Sequence, residues 1–323
     1  MAFAQTLPTS ATAASSGVHV WLDGSYRSIN LPAFSLGAHT TDGTFSDLGP
    51  VQGFKPRVTG EGINGGIGFV VPDGILPAAL GSNVRIGLTG AYVQADAKQT
   101  AFAVSPGPVL MWLDGTLFFG CGCEFSSELV TKYSSWRVGL NAASDIHTAT
   151  VTWTPSIEII GGSARTRQTL TQFDSSQIYV SQTRLSWTDL GLKFGLGATM
   201  PVTSMLEFGV TGTIAIVHRR AHLRGNDFLD DFGGADLGTS IDTSARTWAV
   251  VPGGQVQLVF SPAPQLQIRA FGGLEWDSRV PGIVSPHFTP AQFFTFAGDP
   301  AGIGFSGQAS YFAGGGFSYT FHR

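Results

Sequence analysis

The sequence predicts an all-β fold, a closed antiparallel transmembrane β-barrel of about ten strands, and three observations carry that prediction. The first is the closing stretch, residues 309–323. There Ala309, Tyr311, Ala313, Gly315, Phe317, Tyr319 and Phe321 make an apolar, aromatic face opposite Ser310, Phe312, Gly314, Gly316, Ser318 and Thr320. A period of two is a strand signal, and a strand ending in stacked aromatics suits lipid with an interfacial girdle. Taken by itself the segment also fits the edge strand of a soluble sandwich. The second observation is composition: charged residues are 12% of the chain, about half the soluble average. No unbroken apolar run reaches the ~18 residues of a helical span, which excludes one. With 43 glycines and 24 phenylalanines and a mean hydropathy of +0.16, the chain is apolar without apolar blocks, as expected when lipid-facing and lumen-facing residues alternate. The third is the spacing of the connections, which are short and long by turns along the chain.

At 323 residues the chain has room for two soluble domains. No Pro/Ser-rich or charged linker divides it, so residues 17–323 are expected to be one barrel. A net charge of −4 implies no nucleic-acid partner. Residues 1–16 read either as the tail of a secretory signal peptide, cut after Ala4 in an Ala2-Phe3-Ala4 arrangement, or as a disordered tail.

The strands follow in order. The first, residues 17–31, sets Val18, Val20 and Leu22 against His19, Trp21 and Asp23. Pro32 and Pro50 mark a long loop up to Gly60, in which Lys55 and Arg57 suggest solvent. The second strand, residues 62–71, opposes Ile63, Ile67 and Phe69 to Asn64, Gly66 and Gly68, and Pro72-Asp73-Gly74 ends it. The third has Val84, Ile86 and Leu88 opposite Arg85, Gly87 and Thr89, reaching Ala97. A long insertion, residues 98–127, carries both cysteines and an apolar patch from Val109 to Phe119. The fourth strand alternates Trp136, Val138 and Leu140 with Arg137 and Asn141 and turns at Ser144-Asp145. The fifth runs from Ala149 and Val151 through Trp153, Ile157 and Ile159, backed by Thr152, Thr154 and Glu158.

Beyond a loop at residues 173–177, the sixth strand presents Leu190, Leu192, Phe194, Leu196 and Met200 outward, with Asp189, Lys193 and Thr199 inward. Pro201 stops it, and the seventh follows after a tight turn, with Phe208, Val210, Ile214 and Ile216 outward and Glu207, Thr211 and Thr213 inward. A loop at residues 220–244 is expected next, then an eighth strand with Val256, Leu258 and Phe260 beside Gln255 and Gln257. Pro262 and Pro264 turn the chain into a ninth, where Leu266, Ile268, Ala270 and Leu274 oppose Gln267, Arg269 and Glu275. A last loop, residues 277–301, precedes the closing strand. Tight connections near Asp73, Asp145, Thr203 and Pro264 thus alternate with long ones, short periplasmic turns against long extracellular loops. A hidden hairpin in residues 98–127 would raise the count to twelve.

The closing strand resembles the C-terminal assembly signal of bacterial outer-membrane β-barrels, with Phe317, Tyr319 and Phe321 as its aromatics and His322 and Arg323 following where that family usually stops. Porin-like and surface-antigen barrels of alphaproteobacteria are the kind it brings to mind. The resemblance implies an outer-membrane location, recognition by the barrel-assembly machinery, and outer-membrane lipid and lipopolysaccharide as surroundings.

The inward set holds both charge signs: Asp23, Arg85, Arg137, Glu158, Asp189, Lys193, Glu207, Arg269 and Glu275. Ten strands leave a narrow lumen, so these groups are expected to pair across it, with a conducting path as the alternative. Cys121-Gly122-Cys123 reads first as a local disulfide. No CxxC, HExxH or GxSxG occurs, so no cofactor, metal or catalytic residue is assigned. His218 and His222 with Asp227, Asp230 and Asp231 fit solvated loop charge; sharper readings are a divalent-cation loop or a rim hydrolase resembling the omptins, ten-stranded outer-membrane proteases. A porin-like or structural barrel without catalysis is the leading expectation. An adhesin or receptor acting through its loops is the rival.

Overall fold

The structure is a computed structural model and describes residues 17–40, 48–71, 82–104, 108–119, 124–173, 177–231, 237–286 and 298–322. Its strands are β1 (Gly17–Asn30), β2 (Phe34–Thr40), β3 (Leu48–Phe54), β4 (Arg57–Val70), β5 (Ser82–Val104), β6 (Pro108–Met111), β7 (Leu117–Phe119), β8 (Glu124–His147), β9 (Thr152–Phe173), β10 (Gln177–Pro201), β11 (Leu206–Asp231), β12 (Leu237–Ala263), β13 (Leu266–Val284) and β14 (Gly302–His322). Ten of them close a ring in the order β1-β14-β13-β12-β11-β10-β9-β8-β5-β4, with β4 returning to β1 through pairs such as Val18 opposite Phe69. Every neighbour in the ring is antiparallel. Closure pairs the strands all round the lower part of the ring, as hydrocarbon requires; above Gly253 and Glu275 the described residues of β12 and β13 share no ladder, and there Val250 N donates to Ser278 Oγ at 2.9 Å.

The expected faces are the observed ones. On β10, Leu190, Leu192, Phe194, Leu196 and Met200 are exposed while Lys193 and Thr199 are buried inside. Val210, Ile214 and Ile216 on β11 and Trp136, Val138 and Leu140 on β8 continue the exposed band around the ring. Its lower rim carries Tyr319 against Phe321, edge to face at 4.8 Å. Trp136 and Trp248 mark the upper rim. An apolar belt of this kind is stable in lipid and costly in water.

The strands run far past that belt. β11 has 26 residues; at ~3.4 Å per residue and a tilt of ~45° it rises about 60 Å, twice the hydrocarbon thickness. Above the belt the alternation continues with its phase inverted. Ala221, Leu223 and Leu229 now point inward and are buried, while Arg220, Arg224 and Asn226 face out. Water lies outside this upper wall, so apolar residues gain by turning in.

That inversion corrects several expected boundaries. Residues 220–244 are mostly strand, because β11 continues to Asp231 and β12 begins at Leu237; likewise β13 reaches Val284 and β14 starts at Gly302. β5 extends to Val104 and β8 begins at Glu124, so the 98–127 insertion is shorter than expected. Lys55 directly follows β3 and Arg57 begins β4, so the two stand at a two-residue connection and not in a structureless loop. Ser144 and Asp145 lie within β8; the turn is lower, closed by the Thr148 amide donating to Val151 O at 2.9 Å, which leaves Ala149 and Val151 outside β9. The long-loop side is thereby modest in places, with only residues 174–176 between β9 and β10. The hidden hairpin exists as β6 and β7 but joins a separate four-stranded sheet, β3-β2-β6-β7, so the barrel count stays at ten.

Candidate functional site

At belt height the lumen is filled by ion pairs. Arg269 on β13 donates from Nε and Nη2 to Asp23 on β1 at 2.7 and 2.6 Å, and Asn64 Nδ2 donates to the same carboxylate at 2.6 Å. The strand between them, β14, puts Gly316 opposite both residues. A Cβ there would lie 2.0 Å from Asp23 Oδ1, so only glycine lets the pair form. Lys193 forms a salt bridge with Glu158 on the adjoining strand, and Thr89 Oγ1 donates to Glu158 Oε1 at 2.6 Å. Nearer the periplasmic end, Arg85 grips Asp145 with two hydrogen bonds of 2.9 and 2.7 Å, and Thr154 Oγ1 donates to Asp145 at 3.0 Å. At the top of the belt, Arg219 donates to Asp189 through Nε and Nη2, both at 2.7 Å, and to Asp277 Oδ1 and Arg279 O at 3.0 and 2.7 Å. Arg219 is fully buried. A cation so placed is stable only with its carboxylates in place.

All nine expected inward residues therefore lie on strands at inward positions, and six of them (Asp23, Arg85, Glu158, Asp189, Lys193 and Arg269) stand in these pairs. Arg137 and Glu275 are buried inward without sharing a salt bridge of that set, and Glu207 is half-buried near the periplasmic end. Both Glu275 carboxylate oxygens lack a hydrogen-bond partner among the described residues. Sequence reasoning missed Asp145, Arg219 and Asp277, which it assigned to a turn and to loop edges. The signal available was parity: Arg219 and Asp277 keep the inward phase of Thr213 and Glu275 on their own strands.

Above the pairs the lumen turns apolar. Ile29, Val58, Leu129, Tyr133, Leu185 and Leu223 belong to one buried cluster that also takes in Trp112 and Leu113 from the β6–β7 turn. That turn is tight: Gly115 N donates to Trp112 O at 2.9 Å, and Gly115 has φ 89° with Gly298 O 2.4 Å from where a Cβ would stand. Gly298 N and Ala301 N donate to Gly115 O and Leu113 O at 2.8 and 2.7 Å, fastening the turn to the segment before β14. Inside the mouth, Trp112 meets the Tyr179 ring edge-on at 5.9 Å. Leu113 N donates to Asp227 Oδ2 at 2.5 Å. The expected apolar stretch thus folds into the barrel mouth at Trp112 and Leu113. Asp227 is buried with Oδ1 lacking a hydrogen-bond partner among the described residues, and burial pushes its carboxyl up to about 6 against the opposing effect of the Leu113 amide.

Asp227 is consequently no loop ligand. His218 and His222 occupy the opposite face of β11: His218 packs edge-on against Trp248 at 5.3 Å, and His222 Nε2 lies 2.5 Å from Asp242. The grouping of those histidines with Asp227 as a cation loop or hydrolase rim is overturned by strand parity, which separates them by the barrel wall. No cluster of three or more His, Cys, Asp or Glu fit for a metal occurs among the described residues. Cys121 and Cys123 lie outside the described residues, as do residues 1–16. Phe317, Tyr319 and Phe321 face outward on β14, as expected.

No protein-family model matches the chain, and no curated protein matches it. Among solved structures it is similar to the outer membrane protease OmpT from Escherichia coli, at 13% identity over 97% of this chain and 100% of that one, with a TM-score of 0.48. It is similar also to a FadL homologue from Pseudomonas aeruginosa, at 9% identity over 95% and 90% with a TM-score of 0.22. An anion-selective porin from Comamonas acidovorans matches at 9% identity over 95% and 99%, with a TM-score of 0.24. All are outer-membrane barrels, and at such identities and scores they carry no argument about what this chain does.

Proposed function

We propose that this chain is an outer-membrane barrel of the porin-like or surface-antigen class that serves as a structural, surface-presenting scaffold, with a lumen that does not conduct and no catalysis. One observation carries this: the lumen is obstructed twice, by the Asp23–Arg269, Glu158–Lys193 and Arg219–Asp189 pairs at belt height and by Trp112 and Leu113 in the mouth above them. A porin wants an open path lined by one dominant charge. The upper wall stands clear of the bilayer and offers contact area to the outside, which favours a scaffold or adhesin over a pore. A rim hydrolase is disfavoured because the histidines and Asp227 face opposite ways.

The test is solute entry into lipid vesicles reconstituted with the folded protein. Vesicles should swell in small sugars no faster than protein-free vesicles. Swelling comparable with that of a general porin at equal protein load would sink the scaffold.

A further inference from the structure

On the outer wall just above the belt, the register lines up cations. Lys132 on β8 is opposite Arg167 on β9, Arg167 is opposite Arg184 on β10, and Arg184 is opposite Arg224 on β11. All four are exposed. Like charges directly opposite on neighbouring strands are destabilising. Arg224 is relieved at its end of the row, because its Nε donates to Asp242 at 2.9 Å. At the other end of the row Lys132 has Asp96 of β5 opposite it, whereas Arg167 and Arg184 in the middle have only cations opposite them on both sides. Elsewhere on the wall this chain does supply a carboxylate, as where Lys98 meets Glu128 at 2.9 Å. In the next outward row down, Arg165 stands between Ser134 and Ser186. Burial first, and then the positive charges of Arg184 and Arg167, push its guanidinium below the usual range.

The row's height identifies what relieves it. Trp136 and Leu190, the upper exposed apolar residues of β8 and β10, lie only a few residues below Lys132 and Arg184. Anions at that level are lipid headgroup phosphates. Guanidinium groups hold phosphate oxygens two at a time, and the flanking serine hydroxyls add neutral donors. We propose that Lys132, Arg167 and Arg184, with Arg165 and its serines beneath them, form a binding site for the phosphate groups of a phosphorylated outer-leaflet glycolipid. The site faces lipid on one side of the barrel only, across β8, β9 and β10. It rests on the lipid-facing reading of the belt.

Folded protein in phosphatidylcholine nanodiscs doped with diphosphoryl lipid A tests this, with lipid A retained per barrel measured by native mass spectrometry after mild delipidation. The wild type should retain lipid A, and the triple variant Lys132→Gln/Arg167→Gln/Arg184→Gln should hold it about a hundredfold more weakly, each cation accounting for the roughly fivefold that Lys or Arg gains near an anionic lipid surface. The control Arg57→Gln/Lys98→Gln, two cations elsewhere on the upper wall, should retain it as the wild type does. Equal retention by the triple variant overturns the site, as does equal retention of lipid A stripped of its phosphates, or binding of inorganic phosphate as tight as that of lipid A. Heat-modifiable gel mobility is read on the same samples. Its absence in the wild type contradicts the membrane reading and this site with it; its presence beside unchanged lipid A retention overturns the site alone.

Discussion

Asp23 and Arg269 sit two strands apart and are joined by hydrogen bonds of 2.7 and 2.6 Å that pass over Gly316 on the strand between them. Gly316→Ala would drive a methyl into Asp23 Oδ1, 2.0 Å from the ideal Cβ position. Breaking a buried pair costs about 3–5 kcal/mol, so refolding titrations in urea should show a loss of that size. Gly24→Ala, whose Cβ would meet nothing within 4 Å, should stay within about 1 kcal/mol. Equal effects of the two would mean that the pair contributes little.

The Glu158–Lys193 bridge makes a second expectation. Lys193→Met strands a buried carboxylate and should destabilise by about 3 kcal/mol or more, whereas Lys193→Met with Glu158→Leu should recover most of it. Additive losses in the same titrations would show that the two side chains act independently.

Charge placed on the belt should be costly. Leu192→Arg and Ile214→Arg put a cation on exposed apolar positions at belt height, with an expected cost of about 2–4 kcal/mol. Thr213→Arg points inward near Glu275, since a Cβ on Gly253 would touch both Thr213 Oγ1 and Glu275 Cγ. It should cost less. The reverse order would mean that the two faces of the wall are exchanged.

Asp227 sets a pH dependence at the mouth. Its folded carboxyl titrates near 6 against an ordinary 3.8, so the folded state binds the proton more tightly than the unfolded chain. Stability is therefore greatest below about 4 and is lost as pH rises toward 6, by up to about 3 kcal/mol. Between pH 7.5 and 5, where ordinary carboxylates stay ionised, the temperature of the heat-modifiable transition should rise on acidification. Asp227→Asn, which keeps an acceptor for the Leu113 amide, should flatten that rise. An identical rise in the variant would assign it to another group.

The belt was legible because burial and lipid both write a period of two, which is why the faces at Leu192 and Lys193 or Ile214 and Thr213 read correctly from residues alone. Strand ends were not legible for a physical reason. Where the wall leaves lipid the apolar side switches from out to in, so a phase-locked reading of β11 stops at Ile216, passes over Arg219 and mistakes Asp227 for loop chemistry. Asp277 was lost the same way, and Asp145 because Ser144-Asp145 reads as a turn although β8 continues to His147. The like-charge row across Lys132, Arg167 and Arg184 was invisible for another reason: the three are far apart in sequence, and only the register brings them level.

Single-channel recording in planar bilayers bears most directly on the central claim that the ion pairs and the Trp112–Leu113 turn close the lumen. The wild-type protein should give only small, rare steps. Large, stable openings from wild-type protein, retained when Lys193→Gln and Arg269→Gln are introduced and indifferent to them in ion selectivity, would contradict it.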